Sequence, residues 1–394
     1  MEESLQEGRI RLFGIARKLP LGSASLTHTT PSPDPEEGSS SVDVESAAAG
    51  APLVSVVVCT LNGEKRLDRC LAAARRQSLG ERLQLVVVDD GSVDNSARLA
   101  AAYGAEVIRH VSNRGVAAAR NTGIAAARAP IVAFLDDDCE ADPEWAERIL
   151  GGFAEGVVGV GGLTVPASSG GYFSGYLERN NHLAPVEIEL TQDTRTAYRF
   201  ARYLLRNARV APPGERAVCS FGAANAAFRV ADLRLLGGFD ERFRSGEDLD
   251  LCLRIGDEQP PGALHYEPSA IVHHYFDTDP RSILRRCRLY GMGAARLYRK
   301  RRDLLPTVFP FPVLIAGLLA WSRGRAPRLL VALLLPQLLF LKGCRNAIQR
   351  RSPAPLLDCY MKLAEEANLN LGFAVGLWCS RDRQRIPWVR QTSA

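Results

Sequence analysis

From residue 54 onwards, short apolar runs alternate with segments whose apolar positions recur every three or four residues. Residues 85–88 and 131–135 are continuous apolar runs, and residues 54–58 are all valine except Ser55. Such runs are typical of strands that are buried on both faces of a parallel sheet. Residues 106–109 predict a further short strand in the same series.

Helical periodicity fills the intervals between these runs, at residues 64–79, 94–103 and 115–128. Strands that alternate with helices predict a doubly wound α/β sheet with helices on its faces. Ligands bind such sheets beyond the carboxyl ends of the strands. Polar side chains that follow the strands are therefore the first candidates for a functional site.

The N-terminal region has a different composition. Residues 21–52 are rich in Ser, Thr, Pro, Ala and Glu, and cannot bury enough apolar surface to offset the entropy of ordering. We therefore predict a disordered segment and linker over residues 1–52, with a weak amphipathic helix at residues 10–19. The acidic N-terminus lacks a long apolar run, so no secretory signal is expected there.

The C-terminal region contains two apolar runs, at residues 307–321 and 329–341. Both are shorter than the roughly 20 residues that a spanning helix needs, and prolines interrupt them. Arginines lie between the runs, on what would be the wrong side of a spanning hairpin. The basic segment 281–302 precedes the runs and suits an anionic membrane surface or a phosphorylated acceptor; a solvated helix face is the alternative. These features favour interfacial or re-entrant attachment; the alternative is a soluble helical appendage.

Composition narrows the classes of protein that remain. The chain has 394 residues, of which 46% are hydrophobic and 24% charged, as in a globular protein with a sizeable core. A net charge of +5 does not demand a nucleic-acid partner, and none is expected. The nine cysteines form no C-x-x-C pair, so we expect reduced thiols, a cytosolic environment and no structural zinc.

Three aspartates, Asp136, Asp137 and Asp138, directly follow the run at 131–135. Carboxylates at a buried strand end repel one another, and a bound Mg²⁺ or Mn²⁺ would compensate their charge. Such a cation would in turn bind a diphosphate. The alternative is a solvated acidic turn that caps the helix expected near Pro143.

Two further strand ends carry polar side chains. Thr60 and Asn62 follow the first strand, and Asp89 and Asp90 follow the second. An aspartate at such a position accepts hydrogen bonds from a nucleobase or ribose, or else closes a turn and caps the next helix. We expect these residues to converge with Asp136 in one crevice.

The order of several motifs along the chain is more specific than any of them alone. The motifs are Cys59-Thr60-Leu61-Asn62, Val88-Asp89-Asp90-Gly91-Ser92, Asn113-Arg114-Gly115, Ala119-Arg120-Asn121-Thr122-Gly123, Phe134-Leu135-Asp136-Asp137-Asp138, Gly222-Ala223-Ala224-Asn225, Gly237-Gly238-Phe239-Asp240 and Gly246-Glu247-Asp248-Leu249-Asp250. Together, over residues 54–298, they resemble glycosyltransferase family 2.

The resemblance implies the GT-A fold, inversion at the anomeric carbon, a nucleoside-diphosphate sugar donor and a divalent cation, Mg²⁺ or Mn²⁺. It assigns the catalytic base to Asp248, with Glu247 beside it. It assigns the cation to Asp136, Asp138 and His274, with His273 as the competing choice. The residues that it associates with the donor are Thr60, Asn62, Asp89, Asp90, Arg120, Asp137 and Asn225.

Several of these assignments have structural alternatives. Glu247 and Asp248 alternatively supply acidic charge to the start of a helix. Arg120 alternatively pairs with an acid on its own helix, and the two histidines alternatively end an edge strand. Leu61 stands where many family members have an aromatic residue that stacks on the base, so the base itself is left open.

Processive members of the family carry a Q-x-x-R-W motif. The comparable stretch here is Arg285-Arg286-Cys287-Arg288-Leu289. We therefore expect transfer of one sugar at a time rather than synthesis of a polymer.

These observations predict three regions. Residues 1–52 are the N-terminal segment, 53–303 a GT-A catalytic domain, and 304–394 a helical, membrane-associated appendage. Within the domain, 53–150 would bind the nucleotide sugar and 151–303 the acceptor, which is a glycan, a lipid-linked molecule or a small molecule. The expected enzyme serves cell-surface glycan, glycolipid or secondary-metabolite synthesis, at the cytoplasmic face of the cell membrane.

Two other functions remain open at this point. One is a non-catalytic scaffold that associates with glycans or membranes. The other is a sugar-phosphate nucleotidyltransferase, which needs a Gly-rich loop with Arg and Lys after the first strand. The loop at residues 59–64 lacks those residues except for one glycine, which disfavours that class.

Overall fold

A computed structural model describes residues 8–12, 15–19, 50–180, 183, 186–187, 216–260, 262–301, 304–305, 309–322 and 325–379. Its strands are β1 Gly8–Leu12, β2 Ile15–Leu19, β3 Val54–Thr60, β4 Leu83–Asp89, β5 Glu106–Arg109, β6 Ile131–Asp136, β7 Cys139–Ala141, β8 Gly159–Pro166, β9 Val186–Glu187, β10 Arg216–Ser220, β11 Asn225–Arg229, β12 Leu264–His274 and β13 Leu304–Leu305. Its α-helices are α1 Glu64–Arg75, α2 Ser96–Ala102, α3 Val116–Ala126, α4 Trp145–Gly151, α5 Gly171–Arg179, α6 Val230–Leu235, α7 Glu247–Glu258, α8 Pro280–Lys300, α9 Pro310–Ser322, α10 Ala326–Leu339, α11 Leu341–Arg350 and α12 Asp358–Cys379.

The central sheet confirms the predicted alternation of strands and helices. Strands β5, β4, β3 and β6 are neighbours and run parallel. Beyond β6 the sheet is mixed, because β11 pairs antiparallel with both β6 and β8, whereas β12 pairs in parallel with β8. The predicted α/β class is therefore confirmed, and the parallel pattern holds for the first half of the sheet.

Both faces of the parallel strands are buried, as the continuous valine runs predicted. On β3, Val56 and Val58 join a hydrophobic cluster that includes Leu67 of α1. Val57 points the other way and joins a second cluster that includes Ala117 of α3. Because successive side chains of a strand alternate between faces, one run of valines anchors helices on both sides of the sheet.

The N-terminal segment differs from its prediction. In place of a weak amphipathic helix at residues 10–19, strands β1 and β2 pair antiparallel, and β13 pairs with β2. The sequence Arg9-Ile10-Arg11-Leu12 alternates polar and apolar side chains with a period of two, which favours a strand once partners are present. The predicted disorder is therefore wrong for β1 and β2. Residues 20–49, most of the predicted linker, lie outside the described residues.

The C-terminal region is helical, as predicted, and packs against the sheet domain. Helix α12 lies along α8. Nε and Nη2 of Arg179 on α5 each donate a hydrogen bond to Asp358 of α12, at 2.7 Å. Both side chains are buried, so this bidentate ion pair is shielded from solvent.

Helices α9 and α10 contact each other and leave much apolar surface exposed. No single helix in the described part of the chain is long and apolar enough to cross a membrane by itself. The pair Ala326–Leu338 and Leu341–Arg350, bent by 68°, meets that criterion jointly by length and composition. The exposed apolar residues on the two helices are Val313, Leu314, Leu319, Trp321, Leu329, Leu330, Val331, Leu333, Leu334 and Leu338.

The close packing of α8 on α12 yields a prediction about glycine. A β-carbon at Gly291 would lie 2.1 Å from the carbonyl oxygen of Leu369, whereas a β-carbon at Gly317 on α9 would meet nothing within 4 Å. Alanine normally stabilises a helix interior relative to glycine by about 1 kcal/mol. We expect Gly291→Ala instead to lower the free energy of unfolding by about 1–3 kcal/mol, because the helices must separate.

Urea and thermal unfolding of both variants measure this difference. Gly317→Ala is the matched control and should be neutral or slightly stabilising. A Gly291→Ala protein as stable as the Gly317→Ala protein would contradict the helix contact described here.

Candidate active site

The register of the parallel strands brings the polar strand ends together. Thr60 of β3 is paired with Asp89 of β4, and Cys59 is paired with Asp136 of β6. Neighbouring strands lie about 4.8 Å apart, so these ends form one continuous edge. This is the edge at which the sequence predicted convergence.

Asp137 points into the protein and is fully engaged there. It accepts hydrogen bonds from the hydroxyl of Thr60 at 2.6 Å and from Nε and Nη2 of Arg66 at 2.7 and 3.0 Å. Burial raises the pKa of Asp137, and the bonds from Arg66 and Thr60 oppose that rise. Hydrogen bonds among the three residues therefore connect the end of β3 to the end of β6. The donor contacts predicted for Thr60 and Asp137 remain predictions.

Asp90 organises the loop that leads into α3. Its Oδ1 lies 2.7 Å from Nδ1 of His110 and accepts a hydrogen bond from the backbone N–H of Arg114 at 2.9 Å. Its Oδ2 accepts from the backbone N–H of Gly115 at 2.8 Å. His110 also contacts the hydroxyl of Thr122, at 2.9 Å from Nε2. Asp90 therefore fixes where α3 begins.

Asp89 and Asn62 support neighbouring loops. Asp89 accepts a hydrogen bond from the backbone N–H of Ser92 at 2.8 Å, and Nε of Arg109 lies 3.2 Å from its other oxygen. Asn62 has a left-handed backbone, with φ of 50°, and its side-chain oxygen accepts from the N–H of Val93 at 2.9 Å. These bonds shape the rim of the crevice, and contact of Asn62 or Asp89 with a donor remains a prediction.

Asp138 and His274 lie close enough together to hold one metal ion. Nε2 of His274 lies 3.4 Å from Oδ1 of Asp138, and Cys139 is close enough to form a three-residue group with them. Burial lowers the pKa of His274 to about 4, so its imidazole is neutral and available as a ligand. Its ring stacks on Phe276, with 3.9 Å between centroids.

These residues fit a divalent cation. Burial raises the pKa of Asp138 to about 8, and the negative charges of Asp136 and Asp137 add to that rise. The raised pKa indicates a site that lacks positive charge. Nδ1 of His274 is buried and has no hydrogen-bond partner among the residues that the structure describes. A hard cation would supply the missing charge and give the buried imidazole a partner.

The structure separates His274 from its neighbour His273. Strand β12 pairs with β7 so that His274 lies opposite Cys139, whereas His273 lies opposite Glu140. Nε2 of His273 lies 3.3 Å from Asp142, in a cavity of about 380 Å³ lined also by Arg76 and Tyr275. Between the two candidates of the sequence, His274 is the one that reaches the aspartate triplet, through Asp138.

Arg120 is the buried cation of the crevice. Its Nη2 lies 2.9 Å from Oδ1 of Asp136, and its Nη1 donates a hydrogen bond to Glu247. Burial opposes the charge of Arg120, but Asp136 and Glu247 raise its pKa above the usual value. The alternative of an acid on its own helix is therefore wrong, because Asp136 ends β6 and Glu247 begins α7.

Glu247 and Asp248 occupy different environments at the start of α7. Glu247 is buried against Arg120, and its pKa is raised to about 7 by burial and by the charge of Asp248. Asp248 is half-buried, and its oxygens accept from the backbone N–H groups of Leu249 at 2.8 Å and Ala223 at 3.3 Å. Burial also raises the pKa of Asp248. Asp248 is thus the more accessible of the two carboxylates.

Asn225 is buried at the start of β11. Its side-chain oxygen accepts from Nε1 of Trp145 at 2.8 Å, and its amide donates to the carbonyl oxygen of Ala270 at 3.1 Å. These bonds tie β11 to α4 and β12. Contact between Asn225 and a donor remains a prediction.

Sequence reasoning missed two residues of this region. His110 directly follows β5, so the rule that identified the other strand ends would have found it. Arg66 lies within α1, and the sequence around it gives no signal that it reaches Asp137.

The described cysteine side chains are free thiols, as expected. They are Cys59, Cys70, Cys139, Cys252, Cys287, Cys344, Cys359 and Cys379.

Comparison with known proteins identifies related sequences. The family model described as Glycosyl transferase family 2 matches residues 55–219. A pre-mycofactocin glycosyltransferase of Mycobacterium tuberculosis is 33% identical over 293 residues, which are 71% of this chain and 56% of that protein. A validoxylamine A glucosyltransferase of Streptomyces hygroscopicus subsp. limoneus is 29% identical over 287 residues, 67% of this chain and 60% of that protein. The matched region therefore spans little more than half the length of these relatives.

A solved structure has a similar fold. The mannosyltransferase PcManGT from Pyrobaculum calidifontis, in complex with GDP-Man and Mn²⁺, superimposes with a TM-score of 0.51 at 18% sequence identity. The similarity covers 88% of this chain and 92% of that protein. The arrangement of the sheet and its helices is thus shared over most of both chains.

The position of Arg120 yields a prediction about stability. Arg120→Leu leaves Glu247 buried without a counter-charge and frees Asp136 from its partner. Removing one member of a buried ion pair typically costs about 3–5 kcal/mol of unfolding free energy. We expect a loss of that size, measured by urea denaturation.

Arg128→Leu is the matched control, since Arg128 forms an exposed pair with Glu106 at 2.7 Å. Exposed pairs contribute about 0–1 kcal/mol. Equal stability losses in the two variants would show that Arg120 is not a buried structural cation.

Proposed function

Because the chain belongs to glycosyltransferase family 2 and has the GT-A fold, we propose that it transfers a single sugar from a nucleoside-diphosphate sugar to an acceptor hydroxyl. The observation that carries this proposal is the bridge made by Arg120. Through it, Asp136 at the end of β6 and Glu247 at the start of α7 share one counter-ion. The candidate metal side and the candidate base side therefore face the same crevice.

We assign the cation site to Asp136, Asp138 and His274. When bound there, Mg²⁺ or Mn²⁺ would hold the donor diphosphate and offset the negative charge of the leaving group. The carboxylate and imidazole donor set suits either ion, and the Mn²⁺ in the PcManGT complex supports the choice of Mn²⁺.

We assign the donor nucleoside to the rim formed by Thr60, Asn62, Asp89 and Asp90. The loops that they hold lie at the carboxyl edge of the sheet, where such folds bind nucleotides. Arg120, Asp137 and Asn225 would act mainly by fixing the side chains and strands around this rim. The neighbour's GDP-Man supports a nucleotide sugar in general and leaves the base open.

We assign the general base to Asp248. A sugar hydroxyl is a weak nucleophile and needs a proton acceptor within hydrogen-bond reach. Asp248 is half-buried, whereas Glu247 is already bonded to Arg120. A raised pKa makes Asp248 a better proton acceptor, provided that the pH lies above it. A base on the acceptor side, opposite the diphosphate, produces inversion at the anomeric carbon.

A screen of nucleotide sugars tests the function. The protein is incubated with UDP-, GDP- and dTDP-sugars and Mn²⁺ or Mg²⁺, and release of the nucleoside diphosphate is measured. We expect release that depends on the cation and is lost in Asp138→Asn. The proposal would be wrong if no pair of nucleotide sugar and cation gave release of the nucleoside diphosphate and calorimetry detected no binding of any nucleotide sugar. That result is expected of a non-catalytic scaffold.

The base assignment gives a kinetic prediction. Asp248→Asn preserves the shape but removes the proton acceptor, so turnover should fall by about 10²–10⁴-fold while donor affinity stays nearly unchanged. Because burial raises the pKa of Asp248, the wild-type rate should decline as the pH falls through that raised value. Glu247→Gln should reduce turnover less than Asp248→Asn does.

Glu258→Gln, at the exposed far end of α7, is the control for charge removal from this helix. Steady-state transfer and calorimetry with the donor separate turnover from binding. Near-normal turnover by Asp248→Asn would remove Asp248 from the mechanism and make Glu247 the next candidate.

We further propose that residues 53–303 form the catalytic domain and that residues 304–394 attach it to the cytoplasmic face of the cell membrane. Support comes from the exposed leucines of α9 and α10 and from arginines beside them, such as exposed Arg325. A bilayer interface accepts apolar side chains and attracts basic ones. On this arrangement, glycans, lipid-linked molecules and small molecules remain possible acceptors.

Membrane attachment is tested by flotation with anionic lipid vesicles. We expect the protein to float with the vesicles and to be partly released by high salt, because salt screens the basic contribution. Leu330→Glu combined with Leu334→Glu should abolish flotation, since both side chains are about half exposed on α10.

Leu235→Glu provides the control, because Leu235 is 85% exposed but lies on α6 of the catalytic domain. It should float like the wild type. Complete retention after alkaline carbonate washing would point to spanning helices instead of interfacial attachment.

A further inference from the structure

Helix α8 carries an arginine whose charge has no counterpart in the site described above. Nη2 of Arg286 is buried and has no hydrogen-bond partner among the residues that the structure describes. Its guanidinium lies over the ring of Phe276, at 4.9 Å from the centroid. A cation–π contact of this kind positions the group but leaves its N–H donors unused.

The location of Arg286 connects it to the candidate metal side of the crevice. Phe276 stacks on His274, and His274 lies 3.4 Å from Asp138. The guanidinium thus contacts the ring that stacks on a candidate cation ligand.

The unused donor of Arg286 needs a partner. A buried polar donor without one is costly, and each such group in a folded protein calls for an explanation such as a bound ligand or ion.

We propose that Arg286 binds a phosphoryl group in this crevice. The proposal rests on the nucleotide-sugar function proposed above, because that substrate brings a diphosphate to the cation site. A guanidinium presents several N–H donors in a fixed fork that matches phosphate oxygens, and it keeps its charge at every physiological pH. The first candidate for this phosphoryl group is the β-phosphate of the donor, which carries the sugar. The second is the phosphate of a phosphorylated acceptor.

The packing of α12 explains how a basic helix can present this side chain. A β-carbon at Gly372 of α12 would lie 2.0 Å from the carbonyl oxygen of Arg288, so α12 covers the far side of α8 closely. Nη2 of Arg288 donates to Asn368 of α12 at 2.9 Å. Arg288 thus contacts the appendage through Nη2, and its Nε, like Nη2 of Arg286, is buried without a hydrogen-bond partner among the described residues.

The test compares Arg286→Gln with Arg285→Gln, which removes an exposed neighbouring charge on the same helix. Calorimetry measures binding of GDP, UDP and dTDP, and of the matching monophosphates, with Mn²⁺ present. For the diphosphate that binds the wild type, Arg286→Gln should weaken affinity by about tenfold or more. Affinity for the matching monophosphate should fall much less, so the preference of the protein for the diphosphate over the monophosphate should become smaller.

Two further measurements distinguish a contact between Arg286 and a ligand from a purely structural role of Arg286. Thermal unfolding without nucleotide should be the same for both glutamine variants, and Arg286→Lys should recover part of the diphosphate affinity. If diphosphate binding is unchanged but binding of farnesyl phosphate to the nucleotide-saturated protein is lost in Arg286→Gln, the phosphoryl group belongs to the acceptor.

Two results overturn the inference. The first is an Arg286→Gln protein that matches Arg285→Gln with every phosphorylated probe. The second is an equal loss of mono- and diphosphate affinity, which indicates general damage. The proposed function fails separately: in that case the wild type itself binds no nucleoside diphosphate with Mn²⁺, and the inference fails with it.

Discussion

The charge balance around Arg120 is the constraint on which the crevice depends. Carboxylates from the end of β6 and the start of α7 approach each other, and in a partly buried place they would repel without a cation between them. Arg120 supplies that cation from α3. Its position depends in turn on Asp90, which fixes the loop before α3 through the backbone of Arg114 and Gly115. The loop proposed to bind the nucleotide and the carboxylates proposed for catalysis are thus connected through hydrogen bonds and ion pairs.

Arg120 balances only part of the negative charge. Asp137 is balanced by Arg66, whereas burial and the charges of Asp136 and Asp137 raise the pKa of Asp138, which has a neutral histidine beside it. On the function proposed above, a cation held by Asp138 and His274 would offset this negative charge when an anionic donor binds.

The C-terminal helices contribute to this site as well as to the surface. Helix α8 places the guanidinium of Arg286 over Phe276, which stacks on His274, and it also packs closely against α12. Arg179 and Asp358 add a buried ion pair between α5 and α12. The packing of α8 therefore connects the C-terminal helices to the side chains beside His274.

The sequence by itself determined the four parallel strands between residues 54 and 136, the helices between them and the strand ends that carry aspartates, because these follow from local periodicity and composition. Only the tertiary structure decided which groups meet. His273 and His274 alternate on one strand, so the sequence requires them to face opposite sides, but the pairing of β12 with β7 decides that His274 faces Asp138. The partners of Arg120 lie 16 and 127 positions away, and β1 and β2 gain a third strand only from residues 304–305. Long-range pairing depends on how complete elements pack and on the charge that they bury, and no local pattern encodes that.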